Sequence, residues 1–381
     1  MNSWERVVKA FELDVPDVIP LYEMHIPPII LSYILNKPLE KIFLSNSPTI
    51  LSTFMKKECT NIKKINDKIL REILLVQKKL KLDWIRAIGA VTHIPSSIER
   101  IDGNKWIIDG CKYLWTGYSM WWMNEPVKYD PDEVLKKYRD TDIDIDSSIF
   151  YILEKLVKKV KGKVFLSFDA DGTWGPIVSY PNFLKHVLIW MYKRPDVVKT
   201  IIDYYTRTAI EIGKWAIDIG VDAIQLCVDY GNLNGPWMSP KMFRKFIKPA
   251  LKRHCDIFHK KGAYVVMHSD GNITPLLKDI VDAGIDGYQG IDIIAGMSLK
   301  WVKENFGDKI CLIGNADPRI IEFGDKKDVE REVERCIREG ARNGGYIFST
   351  SANISANTNT ENFLHMIKYF HMKRRNIDRN L

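Results

Sequence analysis

The chain has 381 residues, of which 46 % are hydrophobic and 27 % charged, ordinary values that exclude a disordered, collagen-like or coiled-coil protein. Its 56 basic and 48 acidic residues leave a net charge of +8, spread along the chain except for Lys373, Arg374 and Arg375, so no clustered nucleic-acid-binding surface is expected. The longest apolar stretch, 18–35, is interrupted by Glu23, His25, Pro27 and Pro28, too broken to span a bilayer. An acidic start at Glu5 without an uninterrupted apolar core argues against a signal peptide, and the expected location is the cytoplasm. The six cysteines contain no Cys-x-x-Cys pair, which suits reduced thiols and argues against a structural zinc finger.

In chain order, short β-branched runs ending in polar residues occupy 18–23, 82–88, 163–169, 222–229, 263–270, 287–292, 309–315 and 345–351. Amphipathic stretches lie between them, notably 181–220, 240–261, 273–283 and 327–343. Ser239 before Pro240 places a hydroxyl at an N-cap and a proline at the first helical position. Eight apolar strands alternating with helices predict an α/β fold, a (β/α)8 TIM-type barrel. An open doubly wound sheet would carry a glycine-rich phosphate turn after its first strand, and there is none. Five of the eleven tryptophans, Trp84, Trp106, Trp115, Trp121 and Trp122, fall in a region that breaks the rhythm. With turn signals at Asp102-Gly103 and Asp109-Gly110, it reads as a Trp-rich β insertion after strand 2, at about 89–130, in a single domain covering 1–381. These aromatics either form the insertion's own core or line an apolar cavity over the barrel mouth.

Chemistry in such a barrel belongs at the carboxyl ends of its strands. Those ends carry Glu23, Asp169, Asp229, His268, Asp270, Gln289, Asn315, Asp317 and Asn353. His268 closes the apolar run 263–267 just before a turn, where a histidine can bind a metal or carry a proton, or merely join the rim by hydrogen bonds. Asp171, before a glycine, and Asp317, before a proline, also fit capping or turn-making. The histidines at 186, 254, 259, 365 and 371 lie in helical stretches and read as surface or packing residues.

Glu5-Arg6-Val7-Val8-Lys9-Ala10-Phe11 running into 16–20, Asp229 with 235–240, His268-Ser269-Asp270-Gly271, Gly314-Asn315-Ala316-Asp317, and 344–353 with Glu361-Asn362 appear in an order that resembles the uroporphyrinogen decarboxylase (URO-D) superfamily across nearly the whole chain. The resemblance implies a TIM-type barrel with its pocket at the strand carboxyl ends. Decarboxylases of this superfamily carry an arginine signature after the first strand that binds substrate carboxylates. Here that place, 21–28, has no arginine and holds Glu23, which argues against porphyrinogen decarboxylation.

The sequence is closer in kind to the superfamily's corrinoid-dependent methyltransferases. In the thiol-methylating members a zinc is bound by His-x-Cys and a later Cys; here Asp270 stands at the place of the first cysteine, and 349–357 holds none. The resemblance therefore implies zinc held by His268 and Asp270, with Glu23 or Asp229 as the third ligand, Glu23 being the expectation carried forward. Catalytic roles fall to His268, Asp229 and Asp270, and substrate binding to Glu23, Asp169, Gln289, Asn315, Asp317 and Asn353. The implied reaction moves a methyl group from a methoxylated aromatic donor to the cobalt of a separate corrinoid protein, an O-demethylase type of chemistry. Uroporphyrinogen decarboxylation and a non-catalytic barrel binding an acidic partner are the competing readings. The outer helices of such a barrel can pair into a homodimer.

Overall fold

The computed structural model describes residues 1–117, 119–123, 128–352 and 354–375. Along the chain, β1 (Trp84–Ala87) precedes an antiparallel meander of β2 (Ile98–Arg100), β3 (Lys105–Ile108), β4 (Cys111–Trp115) and β5 (Met120–Trp122). Then come β6 (Phe165–Asp169), β7 (Ala223–Cys227), the ribbon β8 (Gly231–Asn232) and β9 (Gly235–Pro236), β10 (Tyr264–Ser269), β11 (Gly287–Gly290), β12 (Cys311–Ile313) and β13 (Tyr346–Ile347). The main sheet runs β1-β6-β7-β10-β11-β12-β13, every pair parallel.

The stretch expected as the first strand, 18–23, does not form a full ladder strand. Pro20 has no N–H to give, and the Leu21 N–H is taken at 3.0 Å by the Asp83 carboxylate. The segment still closes the ring. Leu21 bridges Phe348 in parallel, the Tyr22 N–H donates to the Phe348 carbonyl at 3.0 Å, and the Asp83 N–H donates to the Leu21 carbonyl at 2.9 Å. The result is the expected TIM-type α/β barrel, with one stave reduced to a bridge.

Prolines also cut two of the expected helices. The stretch 181–220 divides into Pro181–Lys193 and Pro195–Ile219, because Pro195 cannot continue the preceding helix but suits the first turn of the next. The stretch 240–261 begins as read, the Ser239 hydroxyl accepting from the Met242 N–H at 3.3 Å. It then widens into a π-helical turn at Phe243–Ile247 beside Pro249, before Lys248–Lys260.

Alternation along the strands sorts the barrel interior by height. Near the strand starts, Trp84, Phe165, Ala223 and Val266 pack together with Phe11 and Val7 of the helix Ser3–Phe11, which plugs that end. The Phe11 ring stacks on Phe165 and Tyr264 and meets Trp84 edge-on. One level up lie Ser167 and Gln225, the latter accepting from the Tyr22 hydroxyl at 3.0 Å. The last inward positions of β1, β6, β7, β10 and β11 are the polar Arg86, Asp169, Cys227, His268 and Gln289, while those of β12 and β13 are Ile313 and Ile347. Outward residues such as Val265, Met267, Leu226 and Leu312 are buried under the helices.

The tryptophan grouping separates in three dimensions. Trp84 belongs to the barrel and Trp106 is fully buried in the meander, while Trp121 is 41 % exposed and faces the mouth. Trp106 thus belongs to the meander's own core, and Trp121 lines a cleft that also holds Asp229, Asp270 and Asp292. Among the described residues no helix is long and apolar enough to cross a membrane.

Candidate active site

β7 and β10 pair in register with Cys227 beside His268, and β10 and β11 with His268 beside Gln289. This register puts the imidazole between two neighbours at the top of the barrel. The Gln289 amide is oriented by its Nε2, which donates to the Thr350 carbonyl at 3.2 Å, so Oε1 faces the ring and takes the proton of His268 Nδ1. Nε2 is thereby directed at two carboxylates, 3.5 Å from Asp229 Oδ1 and 3.6 Å from Asp270 Oδ1.

Asp229 reaches this place through a left-handed turn, φ 43°, directly after β7. Its Oδ1 also accepts the Asp270 N–H at 2.9 Å, tying the two strand ends together. Burial raises the Asp270 carboxyl to about 6, an effect opposed by His268 and reinforced by the Asp229 and Asp292 charges. Asp270 Oδ1 is buried without a hydrogen-bond partner. A neutral imidazole lone pair facing two carboxylate oxygens is repulsive unless a proton or a cation lies between them.

Asp229, His268 and Asp270 each offer a ligand atom, all within 4.8 Å of one another. This donor set fits a divalent ion such as zinc, which takes imidazole and carboxylate ligands. The His268 Nδ1–H to Gln289 bond is the kind of outer contact that orients a ligating histidine. The group contains Asp229 in the place expected for Glu23. Glu23 is buried and accepts from the Thr350 hydroxyl at 2.8 Å and the Thr350 N–H at 3.3 Å, so it reaches His268 only through Thr350 and Gln289. Burial raises its carboxyl to about 8, against those two hydrogen bonds.

The other expected residues are spent differently. Asp169 is held by the Arg86 guanidinium, whose Nε lies 2.9 Å from Oδ1. Asn315 donates to the Ile291 carbonyl at 2.9 Å and accepts from Arg335 at 3.0 Å. Asp317 caps the helix Pro318–Phe323 and pairs with Arg319 at 2.7 Å. Asp171 likewise accepts backbone N–H groups from Thr173 and Gly175 at 3.0 and 2.7 Å, the turn-making role. Asn353 lies outside the described residues.

Sequence reasoning missed Arg86, Cys227 and Thr350. A signal for Arg86 exists, since it is the single charge in 84–88 and lies two residues after Trp84, hence on the same inward face of the strand. The Cys227 thiol sits 3.6 Å from the Arg86 guanidinium, and burial pushes its pKa well up.

The group opens on a cleft of about 410 Å³. Asp229, Asp270 and Asp292 line its floor, and Trp121, Trp237, Leu184 and Leu233 are among its walls. Asp292 is fixed by the N–H groups of Gly271 and Ile294, both at 2.9 Å.

A parallel barrel plugged at the strand starts, with imidazole and carboxylates gathered at the opposite end, defines the TIM-barrel class of enzymes. Residues 123–372 match the family model described as uroporphyrinogen decarboxylase (URO-D), and the chain belongs to that family. The uroporphyrinogen decarboxylase of Geobacter sulfurreducens is 27% identical over 181 residues, 48% of this chain and 51% of that protein. The uroporphyrinogen decarboxylase of Chlorobium chlorochromatii is 21% identical over 242 residues, 59% of this chain and 66% of that one. The chain spans about half the length of most of the curated relatives it matches. Among solved structures, a methyltransferase from Methanosarcina mazei has the same fold, with a TM-score of 0.68 over 98% of this chain and 99% of that one, at 16% identity.

Proposed function

We propose that this protein is a corrinoid-dependent methyltransferase that takes a methyl group from a methoxylated aromatic compound and delivers it to the cobalt of a separate corrinoid protein. The observation that carries the reading is His268 Nε2, held by Gln289 and aimed at Asp229 and Asp270 on the floor of an aromatic-walled cleft. The fold shared with a methyltransferase over nearly both full chains supports it, as does the absence of arginine at 21–28, where a many-fold acid would be bound.

The overall step breaks the methyl carbon–oxygen bond and forms a carbon–cobalt bond with the electron pair of Co(I), while the departing phenoxide takes up a proton. Trp121 and Trp237 would hold the ring, excluding water from the reacting carbon. Asp229 and Asp270 lie between His268 Nε2 and the cleft, and in the ion-free protein they would relay a proton from the imidazole to the donor oxygen. A zinc ion held by Asp229, His268 and Asp270 would supply Lewis-acid polarisation of that oxygen. Six free thiols and a Co(I) acceptor fit a reducing cytoplasm.

The test is anaerobic incubation with a methoxyarene and a reduced corrinoid protein, followed by the spectral change from Co(I) to methyl–Co(III). Donor-dependent conversion is expected, reduced about a hundredfold or more in His268→Ala and Asp229→Asn. Conversion of uroporphyrinogen to coproporphyrinogen without methyl transfer would instead establish the decarboxylase reading.

A further inference from the structure

The charges around the cleft bear on which donors it can admit. Its floor carries three carboxylates, Asp229, Asp270 and Asp292, and no lysine or arginine is among its described lining residues. Two cations on neighbouring barrel elements are already committed. Arg86 is held by Asp169, and Arg319 forms a 2.7 Å pair with Asp317. Asp292 stays in place whatever binds, because backbone N–H groups of Gly271, Ile294 and Ala295 converge on it. Asp270 Oδ1 is without a hydrogen-bond partner, so its charge is less offset than that of Asp292.

The walls are apolar and aromatic. Trp121 comes from the inserted meander, and Leu233 and Trp237 from the β8–β9 ribbon. Two indoles over a carboxylate floor form a surface that favours a flat ring and, through the indole faces and the aspartates alike, a neutral or positive substituent. An anion entering here loses its water, meets like charge and finds no fork of guanidinium donors.

We propose that the cleft selects methyl donors that carry no negative charge, methoxyarenes with uncharged or cationic substituents, and rejects the corresponding carboxylates. This rests on the methyltransferase reading above and narrows it to a substrate class. It also supplies a physical reason for the arginine-free first turn, since a substrate without carboxylates needs no guanidinium there.

The test compares three ligands of one shape, para-methoxybenzyl alcohol, para-methoxybenzylammonium and para-methoxybenzoate, by quenching of tryptophan fluorescence in the intact protein near pH 7.5. Titrations are made on protein as purified and after chelation, so that benzoate cannot gain by ligating an ion. The alcohol and the ammonium should bind at least about tenfold more tightly than the benzoate in both preparations. Trp237→Phe should diminish the quench, locating the ligands in the cleft, and Asp292→Asn should narrow the gap by strengthening benzoate alone. Benzoate binding as tightly as the alcohol overturns the inference. So does the absence of quenching by all three, which removes the cleft as a donor site altogether. The expected ranking without any methyl transfer to cobalt would leave the charge selection standing and overturn the methyltransferase reading instead.

Discussion

His268 illustrates how one side chain acquires a role from its neighbours. Its Nδ1 proton is consumed by Gln289, so its other nitrogen meets Asp229 and Asp270 with a lone pair or a bound proton. If those three groups hold an ion, purified protein should contain about one zinc per chain by mass spectrometry, lost in His268→Ala and retained in Glu23→Gln. Zinc retained in the first variant would remove the histidine from the ligand set. Glu23 makes a separate prediction about stability. Folded, it keeps its proton to about pH 8; unfolded, it releases it near 4.5. Between those values the folded chain binds one more proton than the unfolded chain, so this contribution to stability falls as pH rises. Urea denaturation from pH 5 to 9 should show a loss on the order of a few kcal/mol that Glu23→Gln abolishes. An unchanged pH slope in the variant would show that Glu23 ionises freely.

Register between elements decides which groups meet. β10 and β11 align His268 with Gln289, and Thr350, after β13, orients the Gln289 amide. A one-residue slip would turn every inward side chain outward. Gln289→Leu keeps the approximate shape but removes the acceptor for Nδ1–H, freeing the imidazole to adopt the other tautomer. Zinc affinity measured by competition with a chromophoric chelator should fall about ten- to a hundredfold, with the fold intact by circular dichroism. An unaltered affinity would show that packing alone sets the ring. The strand pattern was readable as elements because buried parallel strands are apolar on both faces. The exceptions have local causes, since Pro20 reduces one stave to a bridge and Pro195 divides a long helix.

At the scale of the whole molecule the barrel has one closed end and one open end. Phe11, from the helix Ser3–Phe11, fills the space among Trp84, Phe165 and Tyr264 at the strand starts. Phe11→Ala should lower stability by about 3–5 kcal/mol in urea while leaving zinc content unchanged, because the plug and the site lie at opposite ends of the strands. Loss of zinc in a variant that still unfolds cooperatively would show that the two ends are coupled. The sequence alone determined the barrel, the polar character of its strand ends and the candidacy of His268, Asp229 and Asp270. The barrel and its strand ends follow from periodicity and local chemistry, which a linear chain displays, and the roles of Asp229 and Asp270 from the resemblance to the URO-D superfamily. Only the tertiary structure decided that Asp229 joins His268 and Asp270 while Glu23 stands behind Thr350. The left-handed turn after β7 and the barrel's closure bring together residues about 40 positions apart, and no local pattern encodes their distance. It likewise divided the tryptophans, burying Trp106 in the meander and setting Trp121 over the mouth. Partner geometry also separated structural aspartates from cleft aspartates, because a carboxylate's role depends on whether guanidinium, backbone N–H or open space faces it.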